Sequence, residues 1–331
     1  MISPIFYNVK QAQEQLHGRV VRTSMYDTYG LSKKLKAKVF LKAENRQVTG
    51  SFKFRGAYNA VSKTPLEECK NGFLTISSGN HALGVAEASR MLGLSATIIM
   101  PSDAPALKID RTRASGAKVI LYDRASEDRE EIARLEVERT GKAYIHPYNN
   151  VDVIAGQGTV GLEIVEDLDV LGLKPDVILV CTGGGGLAAG VSLACKTLVP
   201  DVSVYAVEPD GFDDYGRSLR SGKIEKNKNT SGSICDAILT PCPGEIGFEI
   251  NRNRLAGGIS VSDREALQAV RYCFEQHRMV VEPGGAVALA ALLSGKLEAQ
   301  VDTLKGKVIV AILSGGNIDH QMLQHAMQTE L

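Results

Sequence analysis

The chain has 331 residues, 44% hydrophobic and 23% charged, with Lys plus Arg and Asp plus Glu both at 38 and a formal net charge of zero. That balance is ordinary for a soluble globular protein long enough for two domains around a cleft, and it excludes the basic surface of a nucleic-acid or acidic-membrane binder. Tryptophan is absent and aromatic residues are scarce, which argues against base stacking as a main task.

Short β-branched runs alternate with longer helical patterns. In chain order, residues 39–44 read as a strand, 54–62 as a helix, 73–77 as a strand and 81–92 as a helix. Residues 96–100 and 118–122 read as strands, and 127–139 as an amphipathic helix of mixed charge. Then come a helix at 159–168, a strand at 177–181, a helix at 187–198, a strand at 202–207, a polar exposed loop at 221–233, and a last strand at 307–313 before a short helix. Such alternation predicts parallel sheets covered by helices, with sites at the carboxyl ends of strands. Punctuation around Pro65 and Pro147 predicts a large domain from residues 1–68 and 147–331, with a small, mobile domain at 69–146 inserted into it. No internal repeat is visible.

The cysteines Cys69, Cys181, Cys195, Cys235, Cys242 and Cys273 form no CxxC pair and read as buried thiols of a reducing compartment. The histidines lack zinc-ligand spacing. No segment is apolar enough to span a bilayer, and the first residues lack a basic start before an apolar core, so a cytoplasmic location is expected.

Five segments bear chemistry. Gly183, Gly184, Gly185 and Gly186 follow the apolar run 176–181 and precede a helical run, a place where glycines let several backbone N–H groups converge on a phosphate. Lys53 opens a helix beside Gly50, Ser51 and bulky Phe52; a crowded, partly desolvated lysine can lose its proton and act as an imine-forming nucleophile. Ser77, Ser78, Gly79, Asn80 and His81 again join a strand end to a helix and offer N–H and hydroxyl groups to a carboxylate, though such residues are also ordinary N-caps. Ser314, Gly315, Gly316 and Asn317 repeat the pattern after the last strand. Glu208, Phe212 and Asp214 lie in an acidic turn around Gly211 that could hold a hard cation or simply be solvated. Gly184, Gly186 and Ala189 also fit the loose dinucleotide fingerprint, with Glu208 near the place of a ribose-binding acid, so an NAD-dependent oxidoreductase is an alternative; it leaves the lysine and Ser-Gly-Asn segments unexplained.

Taken in order, the runs around Lys53, Asn80, Gly156, Gly184 and Gly315 resemble those of the threonine/serine dehydratases and serine racemases, pyridoxal-phosphate enzymes of the tryptophan-synthase β-like fold (type II). The resemblance covers nearly the whole chain. It implies that Lys53 binds pyridoxal phosphate covalently, Phe52 packs on its ring, Asn80 meets the ring hydroxyl, the four glycines hold the phosphate and Ser314 faces the pyridine nitrogen. It further implies a substrate carboxylate site at Ser77, Ser78 and His81, and Ser78 as a second acid/base. Glu208, Asp214 and the Phe212 carbonyl match the family's divalent-cation site, for Mg²⁺ or, as alternatives, Mn²⁺ or Ca²⁺. Arg129 matches a racemase arginine that can meet a second substrate carboxylate, or is a solvated arginine on a charged helix.

The expected activity is a PLP-dependent ammonia-lyase converting a β-hydroxy amino acid of the L-threonine or L-serine type to a 2-oxo acid and ammonia, as a homodimer. The alternatives are a 3-hydroxyaspartate dehydratase, a serine racemase with eliminase activity, or a non-catalytic vitamin B6- or amino-acid-binding protein. Arg46, Val48 and Leu83 depart from the family's usual residues. No regulatory extension follows the last helix, so isoleucine feedback is not expected.

Overall fold

The computed structural model describes residues 4–77, 79–104, 106–123, 125–229 and 231–330. Its strands are β1 (Met25–Asp27), β2 (Lys38–Ala43), β3 (Phe73–Ile76), β4 (Ala96–Pro101), β5 (Lys118–Tyr122), β6 (Ala143–Tyr144), β7 (Val177–Cys181), β8 (Ser203–Pro209), β9 (Leu255–Val261) and β10 (Val308–Leu313). They make a six-stranded sheet in the order β1-β2-β10-β7-β8-β9 and a four-stranded sheet in the order β5-β4-β3-β6. Every pairing is parallel except that of β1 with β2. Strands β4, β7 and β10 are buried along their whole length, as continuous apolar runs covered on both faces must be. The fold is thus the expected α/β class with parallel-rich sheets under helices.

All strands of the smaller sheet lie between Phe73 and Tyr144. The hydrophobic core under it does not respect that interval: Phe54, Ala57, Tyr58 and Val61, on the helix Lys53–Lys63, pack into the same cluster as Phe73, Ala82, Val85 and Ile98. The helix that begins with Lys53 is therefore shared between the two sheets.

Most predicted elements lie within a residue or two of those observed. The largest difference is the helix Val151–Val170, expected only from residue 159. Asn150 caps it, its side chain accepting the N–H groups of Asp152 and Val153, while Gly156, Gly158 and Gly161 dilute the helical signal. Those glycines are packing devices. A Cβ on Gly156 would lie 2.6 Å from the Cα of Gly56, and one on Gly190 would lie 2.4 Å from the nitrogen of Gly158. The helices Lys53–Lys63, Val151–Val170 and Gly186–Leu198 thus touch backbone to backbone. The helix expected at 127–139 spans Arg129–Thr140 because Asp128 takes the N-cap. The polar run 221–233 is mostly exposed and holds no helix or strand after Ser221 among the described residues. Five of the cysteines are buried, Cys242 is half-buried, and all are free thiols. No described helix is long and apolar enough to cross a membrane.

A buried ionic network reinforces the helix contacts. Arg55, fully buried, donates to both oxygens of Glu44 and both of Glu163 at 2.7–2.9 Å. Lys42, also fully buried, donates to Glu163 and to the Thr23 carbonyl, each at 2.7 Å. Each ion is offset by a well-placed partner, so removing one leaves an uncompensated buried charge. Arg55→Met is accordingly expected to lower the unfolding free energy by about 3–5 kcal/mol, read as a shift of the urea midpoint at unchanged slope; a loss below about 0.5 kcal/mol, the scale of an ordinary surface change, would mean that the carboxylates are not held as charged groups.

Candidate active site

Because the strands are parallel, the segments after β3, β7, β8 and β10 leave their sheets at carboxyl ends. An isolated antiparallel bridge between Ser51 and Gly315, and a hydrogen bond from the Phe52 N–H to the Ser314 carbonyl (3.0 Å), bring the start of the Lys53 helix onto the end of β10. Phe52 is buried among Val310, Ile312 and Leu187. The Lys53 ammonium donates to the Pro147 carbonyl at 3.0 Å and lies 5.3 Å from the Phe52 ring centre. Burial pulls its pKa down to about 8, so a useful fraction is uncharged near neutral pH.

After β3, the Ser77 hydroxyl accepts the Gly79 N–H at 3.1 Å, and Asn80 opens the helix Asn80–Met91. Ser78 lies outside the described residues. The Asn80 amide donates to Glu282 and accepts from Asn317 at 2.8 Å, and Asn317 also donates to the Thr49 carbonyl at 2.8 Å. His81 is buried, with neither ring nitrogen well bonded among the described residues. Burial first, and the Lys53 charge second, hold its pKa well below the usual histidine range, so it is neutral.

After β7 comes the glycine loop. Gly185 has φ +86°, and a Cβ on it would lie 2.1 Å from the Tyr215 ring; one on Gly184 would lie 2.3 Å from the Tyr148 ring. The first N–H groups of the helix Gly186–Leu198 have no acceptor within it. Loop and helix start line a cavity together with Phe52, Lys53, Asn80, Tyr148 and Ser314. A second cavity shares Lys53, Asn80, Tyr148 and Thr240 with the first and adds Ser77, His81 and Arg129. Lysine, asparagine, serine and a glycine cradle on one cavity fit the chemistry of a small phosphorylated aromatic ring, and the adjoining cavity opens beside them.

Arg129 is not a solvated helix residue: its side chain is 33% exposed, and its ion pair is to neighbouring Glu130 at 3.4 Å. The solvated charges of that helix are Arg134 and Arg139, paired along its outer face. Tyr148 and His146 carried no motif in the sequence. His146 accepts the N–H groups of Tyr148 (3.3 Å) and Asn149 (2.9 Å) at Nδ1, and its ring meets that of Tyr148 edge-on at 4.7 Å. Burial, with the Arg129 and Lys53 charges behind it, lowers its pKa to about 4. Lys108, on the helix Ala106–Ala114, reaches Asp236 at 2.6 Å and Glu282 at 3.4 Å, so the carboxylate that holds Asn80 is itself held by a buried ammonium.

The acidic turn after β8 is buried. Glu208 accepts the N–H groups of Tyr215 and Gly216, each at 2.8 Å. Asp214 accepts from Asn227, and its Oδ2 is buried without a hydrogen-bond partner among the described residues; Phe212 is buried in the same turn. Burial raises the pKa of both carboxyls, Asp214 to about 7, and the Asp214 charge adds to the rise at Glu208. The turn is therefore no solvated loop, and Glu208 is engaged by backbone amides rather than free to meet a ribose.

Comparison with known proteins fits this geometry. Residues 17–315 match the family described as pyridoxal-phosphate dependent enzyme. The chain is 41% identical to the L-threo-3-hydroxyaspartate ammonia-lyase of a Pseudomonas species, over 95% of each chain. It is 40% identical to the L-threonine ammonia-lyase of Thermotoga maritima, over 98% of this chain and 78% of that one. Maize serine racemase superposes with a TM-score of 0.91 at 34% identity, covering 97% of this chain and 96% of that one. The chain belongs to the pyridoxal-phosphate-dependent enzymes and has their tryptophan-synthase β-like fold, and the oxidoreductase alternative falls away.

Two outcomes follow. Gly185→Ala places a Cβ into the Tyr215 ring at a left-handed backbone position; it should reduce cofactor retention, followed by visible absorption after dialysis, at least tenfold. His146, neutral in the fold, would protonate first in the unfolded chain, so its burial costs stability as pH falls from about 6.5 towards 4. His146→Asn should flatten the fall of Tm across that window; an unchanged slope would show that the imidazole titrates normally in place.

Proposed function

We propose that the protein is a pyridoxal-phosphate-dependent ammonia-lyase that dehydrates a β-hydroxy amino acid to a 2-oxo acid and ammonia. The observation that carries this is the Lys53 amine, its pKa pulled down to about 8, on the wall shared by the glycine-cradle cavity and the cavity beside it. The names of the relatives support the reaction class. When bound, the cofactor supplies an electron sink for negative charge at the substrate α-carbon.

The remaining work falls to the chain. The glycine loop 183–186 and the helix start behind it would hold the phosphate, Phe52 would pack on the ring, and Asn80, fixed by Glu282 and Asn317, would meet the ring hydroxyl. Ser314 would offer the pyridine nitrogen a neutral hydroxyl, which would not enforce a full ring charge and so would favour early loss of the β-hydroxyl. Ser77, Ser78 and the helix start at Asn80 would bind the α-carboxylate, with His81 neutral beside them. Lys53 would take the α-proton, for which a partly uncharged amine is suited. Elimination releases water, and hydrolysis of the enamine product gives the 2-oxo acid and ammonia.

Arg129 on the same cavity as Lys53 favours 3-hydroxyaspartate over L-serine and L-threonine, since a guanidinium suits a second carboxylate. A racemase reading rests on Ser78. Glu208, Asp214 and the Phe212 carbonyl would hold a divalent cation, Mg²⁺ first: two buried carboxylates of raised proton affinity, one with an unpartnered oxygen, suit a hard cation. A small mobile unit at 69–146, a homodimeric assembly and a cytoplasmic location complete the proposal.

Lys53→Ala is expected to abolish turnover and the visible band of the bound cofactor; a variant that keeps both would overturn the assignment. Exhaustive chelation should lower Tm and Mg²⁺ should restore it, as mass action on a native-state site requires. Unchanged melting of a sample shown to be metal-free would leave the acidic turn purely structural.

A further inference from the structure

On the cavity that Lys53 shares with Arg129, Tyr148 stands between the two functional halves. It lines both the glycine-cradle cavity and the adjoining one. Its ring is seated against the backbone of Gly184, where a Cβ would come within 2.3 Å, and edge-on to His146 at 4.7 Å. Its backbone is pinned by His146, and the preceding carbonyl, that of Pro147, receives the Lys53 ammonium. The ring is thus placed by Gly184 and His146, and the backbone beneath it by His146 and Lys53. Its hydroxyl nevertheless donates to no described residue, although it belongs to a half-buried ring. Arg129 is only lightly held: its ion pair is a single 3.4 Å contact from Nε to the adjacent Glu130, and Tyr122 is its side-chain hydrogen-bond partner, two contacts for a group with five N–H donors.

We propose that Tyr148 is a specificity-determining residue whose hydroxyl, together with the Arg129 guanidinium, receives the side-chain carboxylate of a β-hydroxy dicarboxylic amino acid. The inference rests on the ammonia-lyase reading above and deepens it. A phenol O–H and a guanidinium can both donate to one anion: a carboxylate accepts from both at once, whereas the methyl of threonine or the hydrogen of serine offers neither an acceptor. Burial pushes the Tyr148 phenol up to about 12 against the opposing pull of Arg129, so the phenol stays protonated as a donor near neutral pH. Rigid placement matters as much as the donor itself, because an oriented donor loses little freedom when the ligand arrives.

The test compares L-threo-3-hydroxyaspartate with L-serine on the cofactor-loaded wild type, Tyr148→Phe, Arg129→Ala and the double variant. The readout is the ratio of kcat/KM for the two substrates, which does not depend on how much of each preparation is active. Tyr148→Phe keeps the ring that packs on Gly184 and should lower the ratio about 10- to 100-fold, the scale of one charge-assisted hydrogen bond. The double variant should lose less than the product of the single losses, as partners on one carboxylate do. Competitive inhibition by succinate relative to propionate should weaken in the same proportion. An unchanged ratio and unchanged succinate preference in Tyr148→Phe, with collapse in Arg129→Ala, would overturn the role of Tyr148 and leave the hydroxyaspartate reading standing. An unchanged ratio in Arg129→Ala would sink that substrate reading itself, and strict additivity in the double variant would overturn the shared carboxylate.

Discussion

The backbone contact of Gly56 with Gly156 is the constraint on which the site depends. It lets the helix that begins with Lys53 lie directly on the helix Val151–Val170, and Gly158 with Gly190 repeats the approach to the helix behind the glycine loop. Any Cβ there would force these helices apart, and the lysine at the start of one would part from the cradle at the start of another. The Arg55 network acts in the same place, since Glu44 comes from the residues after β2 and Glu163 from the long helix. Close packing sets the spacing of the helices; paired buried charges discriminate against sliding, because a shifted register would strand a charge in the core.

Electrostatics then divides the site into roles. Burial makes Lys53 a partly uncharged amine and keeps His81 and His146 neutral, so the cations that remain there are held or line a cavity. Lys108 is held between Asp236 and Glu282, and Glu282 in turn holds Asn80. Arg129 lines the cavity that also holds Ser77 and His81. This chain of contacts links the helix Ala106–Ala114, which packs beside the smaller sheet, to the carboxyl end of β10 through Arg111 and Asn317 at 3.0 Å. The helix beside the smaller sheet, the end of β10 and Asn80 are therefore tied into one network of contacts.

The sheets were legible because buried parallel strands leave continuous apolar runs, and the site segments were legible because glycine, serine and lysine at strand ends are expensive unless they do something. The Gly183 to Gly186 run, Lys53 and Asn80 could each be picked out by residue type and position, and the structure brings them to one cavity with Ser314. The long helix was read short because its glycines, which lower helix propensity, are justified only by a partner helix that the local sequence does not reveal. Tyr148 and His146 were invisible for a similar reason: nothing in a His-Pro-Tyr run says that it faces a lysine more than ninety residues away, as the Lys53 to Pro147 hydrogen bond, at a separation of 94, shows.

By itself the sequence determined the layered α/β architecture, the strand ends at which chemistry is placed, and the order of the segments that mark a pyridoxal-phosphate enzyme, because these follow from hydrophobic period and from the local needs of glycine, lysine and capping residues. Only the tertiary structure decided which side of the helix Arg129 serves, whether the acidic turn of Glu208 and Asp214 is solvated or buried, and what stands opposite Lys53. Those are questions of burial and of contacts between distant segments. The dielectric and the partners that tune a charge are set by everything that packs around it, and neither is written in the residues beside it.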